Sequence, residues 1–218
     1  MATIDDVMDQ MDDFYGEADD TEKLRHLQRT HTRIFSAIPL EPSIVTYSSL
    51  VSGTRQYATG DTYLRVWSVR YVRSATAGDS KMLKPISVDE LDNDFGDWRA
   101  GAAAEPDYWY WRGGEIGLHN KPDTTTSGGY PNLSMEVSTY EAITGSTTLP
   151  GHVSNFDCWV FDALESIAFA HRNREWYDVF KEKKKEAWNQ LIRYYQGRTA
   201  RLNPKTSITV GSSNIQRV

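Results

Sequence analysis

Of the 218 residues only Cys158 is a cysteine, so no disulfide can form within the chain and a reducing compartment suits it. No apolar run approaches the roughly 20 residues that span a bilayer, and the acidic start lacks the basic-then-apolar order of a signal peptide. The chain therefore reads as soluble, with no membrane partner. Catalytic signatures are also missing. Among the five histidines there is no HExxH, and His26 and His31, five apart, do not share a helix face. Gly113-Gly114 is not followed by the lysine and helix of a phosphate loop. The run Asp92-Asn93-Asp94-Phe95-Gly96-Asp97 matches a calcium loop only loosely, because its oxygen ligands and glycine are out of register. These gaps argue against an enzyme and against any bound cofactor or metal.

Basic residues are absent from the first 22 positions, where Asp5, Asp6, Asp9, Asp12, Asp13, Glu17, Asp19, Asp20 and Glu22 accumulate. From Arg172 onward the balance reverses, with Lys181, Lys183, Lys184, Lys185, Arg193 and Arg198 among the cations. A net charge of −6 conceals this asymmetry. Singly, such residues cover solvated helix faces. As a set they suit head-to-tail packing, in which Asp5, Asp6, Asp9, Asp12 and Asp13 of one copy meet Lys181, Lys183, Lys184 and Lys185 of its neighbour around a ring.

What is present is helical at both ends and strand-like between. Thr3 with Asp6 has capping-box spacing ahead of an apolar stripe, Ile4, Val7, Met8, Met11, Phe14 and Tyr15, and Gly16 is expected to end that helix. Thr21 is expected to cap a second helix, with Leu24, Leu27, His31, Ile34, Phe35 and Ile38 on one face and Pro39 as its stop. The longest periodic stretch runs from Leu149 to Gln196. There Ser154 and Asp157 form another box, and Phe156, Val160, Ala163, Leu164, Ile167 and Ala168 share one face. After a break at residues 171–174, Trp176, Phe180, Ala187, Trp188, Leu191 and Tyr195 share another, so the two helices should fold back as a hairpin.

Between them, Ile44–Val51, Thr62–Val72, Tyr108–Tyr110, Glu115–Leu118 and Met135–Ile143 have strand composition, and Tyr63, Arg65, Trp67, Val69 and Tyr71 alternate. Ser87 with Glu90 caps a short helix through Leu91. The expected fold is α+β. Residues 1–40 and 149–200 form a four-helix bundle-like domain of two N-terminal and two longer C-terminal helices, and residues 41–148 are a β-rich insertion between helices 2 and 3. Residues 201–218 are an extended tail. Strand-like alternation from Thr206 to Val210 suits it to a partner's sheet edge. Two further surfaces arise: Trp109 and Trp111 alternate with Tyr108 and Tyr110, and one face of that run would expose aromatics to a sugar or protein. The lysine stripe with Arg193 and Arg198 would meet DNA phosphate, though without aromatic interleaving.

The order of elements resembles the head-to-tail adaptor, or connector, proteins of tailed bacteriophages over roughly residues 20–196. The carriers are Leu83-Lys84-Pro85-Ile86-Ser87-Val88-Asp89-Glu90-Leu91, Pro106-Asp107-Tyr108, Glu115-Ile116-Gly117-Leu118 leading to Pro122, Met135-Glu136-Val137-Ser138-Thr139-Tyr140, and Leu149-Pro150 entering the hairpin. In that family a strand pair around an I-x-L…P stretch precedes a strand ending in tyrosine, and the closing helices follow L-P. The insertion is longer here, and the N-terminal helix more acidic, than in the family's common forms. The resemblance implies a structural virion protein of the neck, made in the host cytoplasm. It would form a dodecamer ring that docks beneath the portal protein, joins a tail or nozzle protein below, and continues the DNA channel without sequence-specific binding. Its portal-binding part would be the C-terminal tail as a region, since no motif there matches residue by residue; the tail's isolated apolar residues Ile208, Val210, Ile215 and Val218 are the candidate contacts. The alternative is a carbohydrate- or surface-binding virion module using Trp109 and Trp111.

Overall fold

The computed structural model describes residues 2–40, 42–59, 62–150 and 156–202. Among these the chain is α+β, with five helices and two four-stranded sheets. It divides into two compact units, Met1–Ile34 with Ala142–Val218, and Phe35–Glu141.

The first unit is helical. Helix α1 (Ile4–Phe14) opens on the expected capping box: the Thr3 hydroxyl accepts from the Asp6 amide and the Asp6 carboxylate accepts from the Thr3 amide. Ile4, Val7 and Met11 are its buried stripe. Helix α2 (Asp20–Ala37) starts one residue before the expected cap, because Asp19 rather than Thr21 accepts from a first-turn amide, that of Glu22, at 2.8 Å. Helix α4 (Asp157–Ala170) begins beyond the expected serine cap. Phe156 stands at its N-cap with no side-chain bond, and Ser154 lies outside the described residues. This helix is buried on more than one stripe, since Cys158, Trp159, Phe161 and Asp162 join the expected face in the interior. Helix α5 (Arg174–Leu202) returns along it and buries Phe180, Ala187 and Leu191. The segment before α4 holds the N-terminus in place. Ile4 donates to the Thr147 carbonyl at 3.0 Å and Asp5 to that of Gly145 at 2.9 Å, while the Gln28 side chain accepts from the Ile143 amide at 2.7 Å.

The second unit is the β-rich one. Strands β1 (Ser43–Tyr47), β3 (Tyr63–Val72), β4 (Ser80–Met82) and β8 (Asn132–Thr139) form one antiparallel sheet in the order β1-β8-β3-β4. Strands β2 (Gln56–Ala58), β5 (Lys84–Pro85), β6 (Tyr108–Arg112) and β7 (Glu115–Leu118) form the other, in the order β2-β7-β6-β5, with β5 and β6 parallel. The β6–β7 hairpin turns on Gly113 and Gly114, both at positive φ (59° and 80°), which a two-residue turn of this hand requires. A core of Leu50, Tyr57, Val66, Val69, Tyr71, Leu83, Trp109, Ile116, Leu118, Leu133, Met135 and Val137 fills this unit.

Simple alternation along β3 does not survive. Irregularities in its pairing with β8 between Tyr63 and Arg65, and again between Val66 and Ser68, shift the phase. The buried residues are Val66, Val69 and Tyr71, whereas Arg65 is exposed and Trp67 half-buried. A bulge adds a residue to one strand and so breaks the two-residue period. The third capping box is formed as expected, with Ser87 and Glu90 opening α3 (Val88–Asp94). Leu91 of that helix packs with Trp98 and Tyr110.

Candidate functional site

Three helices meet at one carboxylate. Asp162 of α4 is fully buried, and it accepts from the Thr30 hydroxyl at 2.7 Å and the Arg33 guanidinium at 2.6 Å, both on α2. The Lys184 ammonium of α5 lies 2.7 Å away and also reaches Glu165 at 2.6 Å. Burial opposes the charge on Lys184, but the bonds to Asp162 and then Glu165 outweigh it and its pKa is raised. Beside this spine His31 receives the Trp159 indole N–H at 3.4 Å, and burial pushes its pKa down to about 4. At the hairpin tip, His171 bridges the Tyr15 hydroxyl (3.1 Å) and Glu22 (3.0 Å), joining the α4–α5 turn to the α1–α2 turn.

These contacts redistribute the lysines expected to face a neighbouring copy. Lys184 is committed within the protomer. Lys183 lies over the rings of Phe14 and Phe161, at 5.0 and 4.9 Å from their centroids, so part of its charge is also used internally. Lys181 caps the Tyr177 ring at 5.7 Å and stays exposed, as does Lys185. On α1, Asp6 is taken by its capping box and Asp12 by Lys23, at 2.7 Å, whereas Asp5, Asp9 and Asp13 are exposed at four-residue intervals. Sequence periodicity misses this division because it cannot see which charges are already paired across helices.

The expected aromatic surface is corrected. Alternation along β6 does separate the two pairs, but both faces are covered. Trp109, 5% exposed, belongs to the core of the β-rich unit, and Trp111 is half-buried against that core and close to Tyr63. Tyr110 lies on the opposite face beneath Trp98. No broad aromatic platform is left there; a cleft of about 400 Å³ reaches Trp109 and Trp111 between Arg65, Pro85, Ile86 and Glu90. The loose calcium run is likewise used structurally: Asp92 accepts from the Trp98 indole at 2.7 Å and from Arg99. Among the described residues no group of three or more His, Cys, Asp or Glu could hold a metal ion. One ion-pair cluster of the β-rich unit centres on Glu105, which binds Arg73 at 2.7 Å and Lys81 at 3.1 Å. Arg73 first, with Lys81, holds its pKa down to about 2. Cys158 is buried, and burial pushes its thiol pKa up, which disfavours the thiolate. Ile208, Val210, Ile215 and Val218 lie outside the described residues, and of Arg198 only the helical backbone is described.

Among the described residues the polar spine faces the interior, Lys184 is paired within the protomer, and charged helix faces remain exposed. The family model for the SU10 adaptor protein matches residues 2–210, and the chain belongs to that phage head-to-tail adaptor family. No curated protein matches it. The family makes it a phage adaptor structural protein of the virion neck. No helix among the described residues is long and apolar enough to cross a membrane.

Proposed function

We propose that the protein forms a ring beneath the portal, of twelve copies as the resemblance implies, bridging the portal above to a tail or nozzle protein below and lining a passage for DNA. The observation that carries this reading is the family match across nearly the whole chain, and the charge distribution supports it. Exposed Asp5, Asp9 and Asp13 near the start of the chain and exposed Lys181 and Lys185 on α5 offer charges of opposite sign on one protomer, which suits heterologous contacts that close into rings. A net charge of −6 suits a channel through which DNA slides without adhering. In this reading the helices flanking the β-rich unit act as one bundle domain, residues 1–40 with 149–200, and the segment 201–218 supplies the portal contact through Ile208, Val210, Ile215 and Val218. No catalytic step is assigned to the chain. Substituting Ile208→Asp with Val210→Asp is expected to abolish co-sedimentation with the cognate portal while the far-UV circular dichroism stays unchanged. Undiminished binding would remove the tail from the interface. The carbohydrate-binding alternative is weakened by the burial of Trp109 and rests only on the small cleft beside Trp111.

A further inference from the structure

Near the tip of the helical hairpin a buried histidine lines a cleft. His26 of α2 is only 4% exposed, yet neither ring nitrogen has a hydrogen-bond partner. An unbonded buried imidazole is costly. It lines a cleft of about 430 Å³ shared with Arg29, Glu165, Ser166, Phe169 and Tyr177. Phe169 is 72% exposed at the rim although it is a large apolar side chain, and its ring lies tilted against that of Tyr177, 5.8 Å between centroids. A second cleft, of about 660 Å³, continues past Phe169 and Tyr177 to Arg172 and Arg174. Both clefts belong to the helical unit.

Exposed arginines outnumber the acids around this groove. Arg25 and Arg29, four apart on the exposed face of α2, flank His26, and Arg172 and Arg174 stand exposed at the far end. Of the acids nearby, Glu165 is held by Lys184 and Glu22 by His171 and Arg25; Asp178 sits at the edge of the second cleft. The complement exists on the same chain. Asp5, Asp9 and Asp13 form an exposed carboxylate stripe with the same four-residue spacing along α1, and among the described residues no ion pair joins them to these arginines.

We propose that this groove is the seat for the acidic face of α1 from a second copy, with Asp9 and Asp13 engaging the exposed Arg25 and Arg29 while Phe169 is covered. The inference rests on the ring reading and moves the basic half of the subunit contact from the lysines of α5 to the arginines beside the hairpin tip. Such a contact is head-to-tail, since the acidic stripe of each copy is left to serve the next.

The test joins Asp9→Cys with Arg29→Cys in one chain and bridges them with a short bis-maleimide in assembled protein, alone or on the portal. Buried Cys158 stays silent. A ladder of covalent multimers is expected, with at most dimers from either single variant. Charge reversal by Arg25→Glu with Arg29→Glu should abolish assembly, and adding Asp9→Lys with Asp13→Lys in the same chain should restore it. Protein that sediments as a ring, gives no ladder and tolerates the reversal would overturn the seat while leaving the ring intact. Protein that stays monomeric with and without portal would overturn both.

Discussion

Asp162 is where the helical unit is most exposed to a single change. Its carboxylate is out of water, and three donors from two other helices converge on it. Removing one partner of a buried pair commonly costs about 3–5 kcal/mol. Here Arg33 and Lys184 both keep partial access to solvent, at 50% and 24% side-chain exposure, so the stranded cations can rehydrate. Asp162→Ala is therefore expected to cost about 2–3 kcal/mol, read from urea unfolding. His31 gives a pH dependence of determinate sign. Burial lowers its folded pKa to about 4 from 6.5, so the unfolded chain binds the extra proton first. The stability tied to its neutral form is complete above about pH 6.5 and is lost as pH falls towards 4, on the order of 3 kcal/mol in all. His26, also lowered by burial, adds in the same direction. Urea midpoints at pH 7 and pH 4.5 should differ less for His31→Gln than for the native chain.

At the scale of elements, legibility followed locality. Both capping boxes that can be inspected, Thr3 with Asp6 and Ser87 with Glu90, stand where three-residue spacing puts them, because a cap depends on one turn of chain. Ser87→Ala is expected to cost about 1 kcal/mol, measurable as a shift in the urea midpoint. Features that depend on distant chain were hidden. The phase shift in β3 answers to its partner β8, and the burial of Trp109 answers to strands on both sides of it. Gly117 belongs to this second kind: on β7 it looks like an ordinary strand glycine, yet a Cβ there would overlap the Tyr110 ring of the neighbouring strand. Gly117→Ala should cost about 1–3 kcal/mol by overpacking, with Ser134→Ala on β8 as an inexpensive control in the same thermal melt.

For the whole molecule, the acidic and basic ends of the chain were visible in composition, and the family pattern in scattered short motifs. Which charges remain available was not, because that depends on pairing between helices far apart in sequence, as with Arg33 and Asp162, 129 residues from each other. The structure leaves Asp5, Asp9 and Asp13 exposed along α1 and Arg25 and Arg29 exposed along α2, charges available to a partner. Contacts between charged faces are screened by salt, so assembly is expected to weaken as ionic strength rises. The most direct measurement is sedimentation velocity of the purified protein mixed with its cognate portal ring at low and high salt. The adaptor account predicts that the protein leaves its slow boundary and co-sediments with portal as a ring, more completely at low salt. A protein that keeps its own slow boundary at every ratio and salt concentration would contradict it.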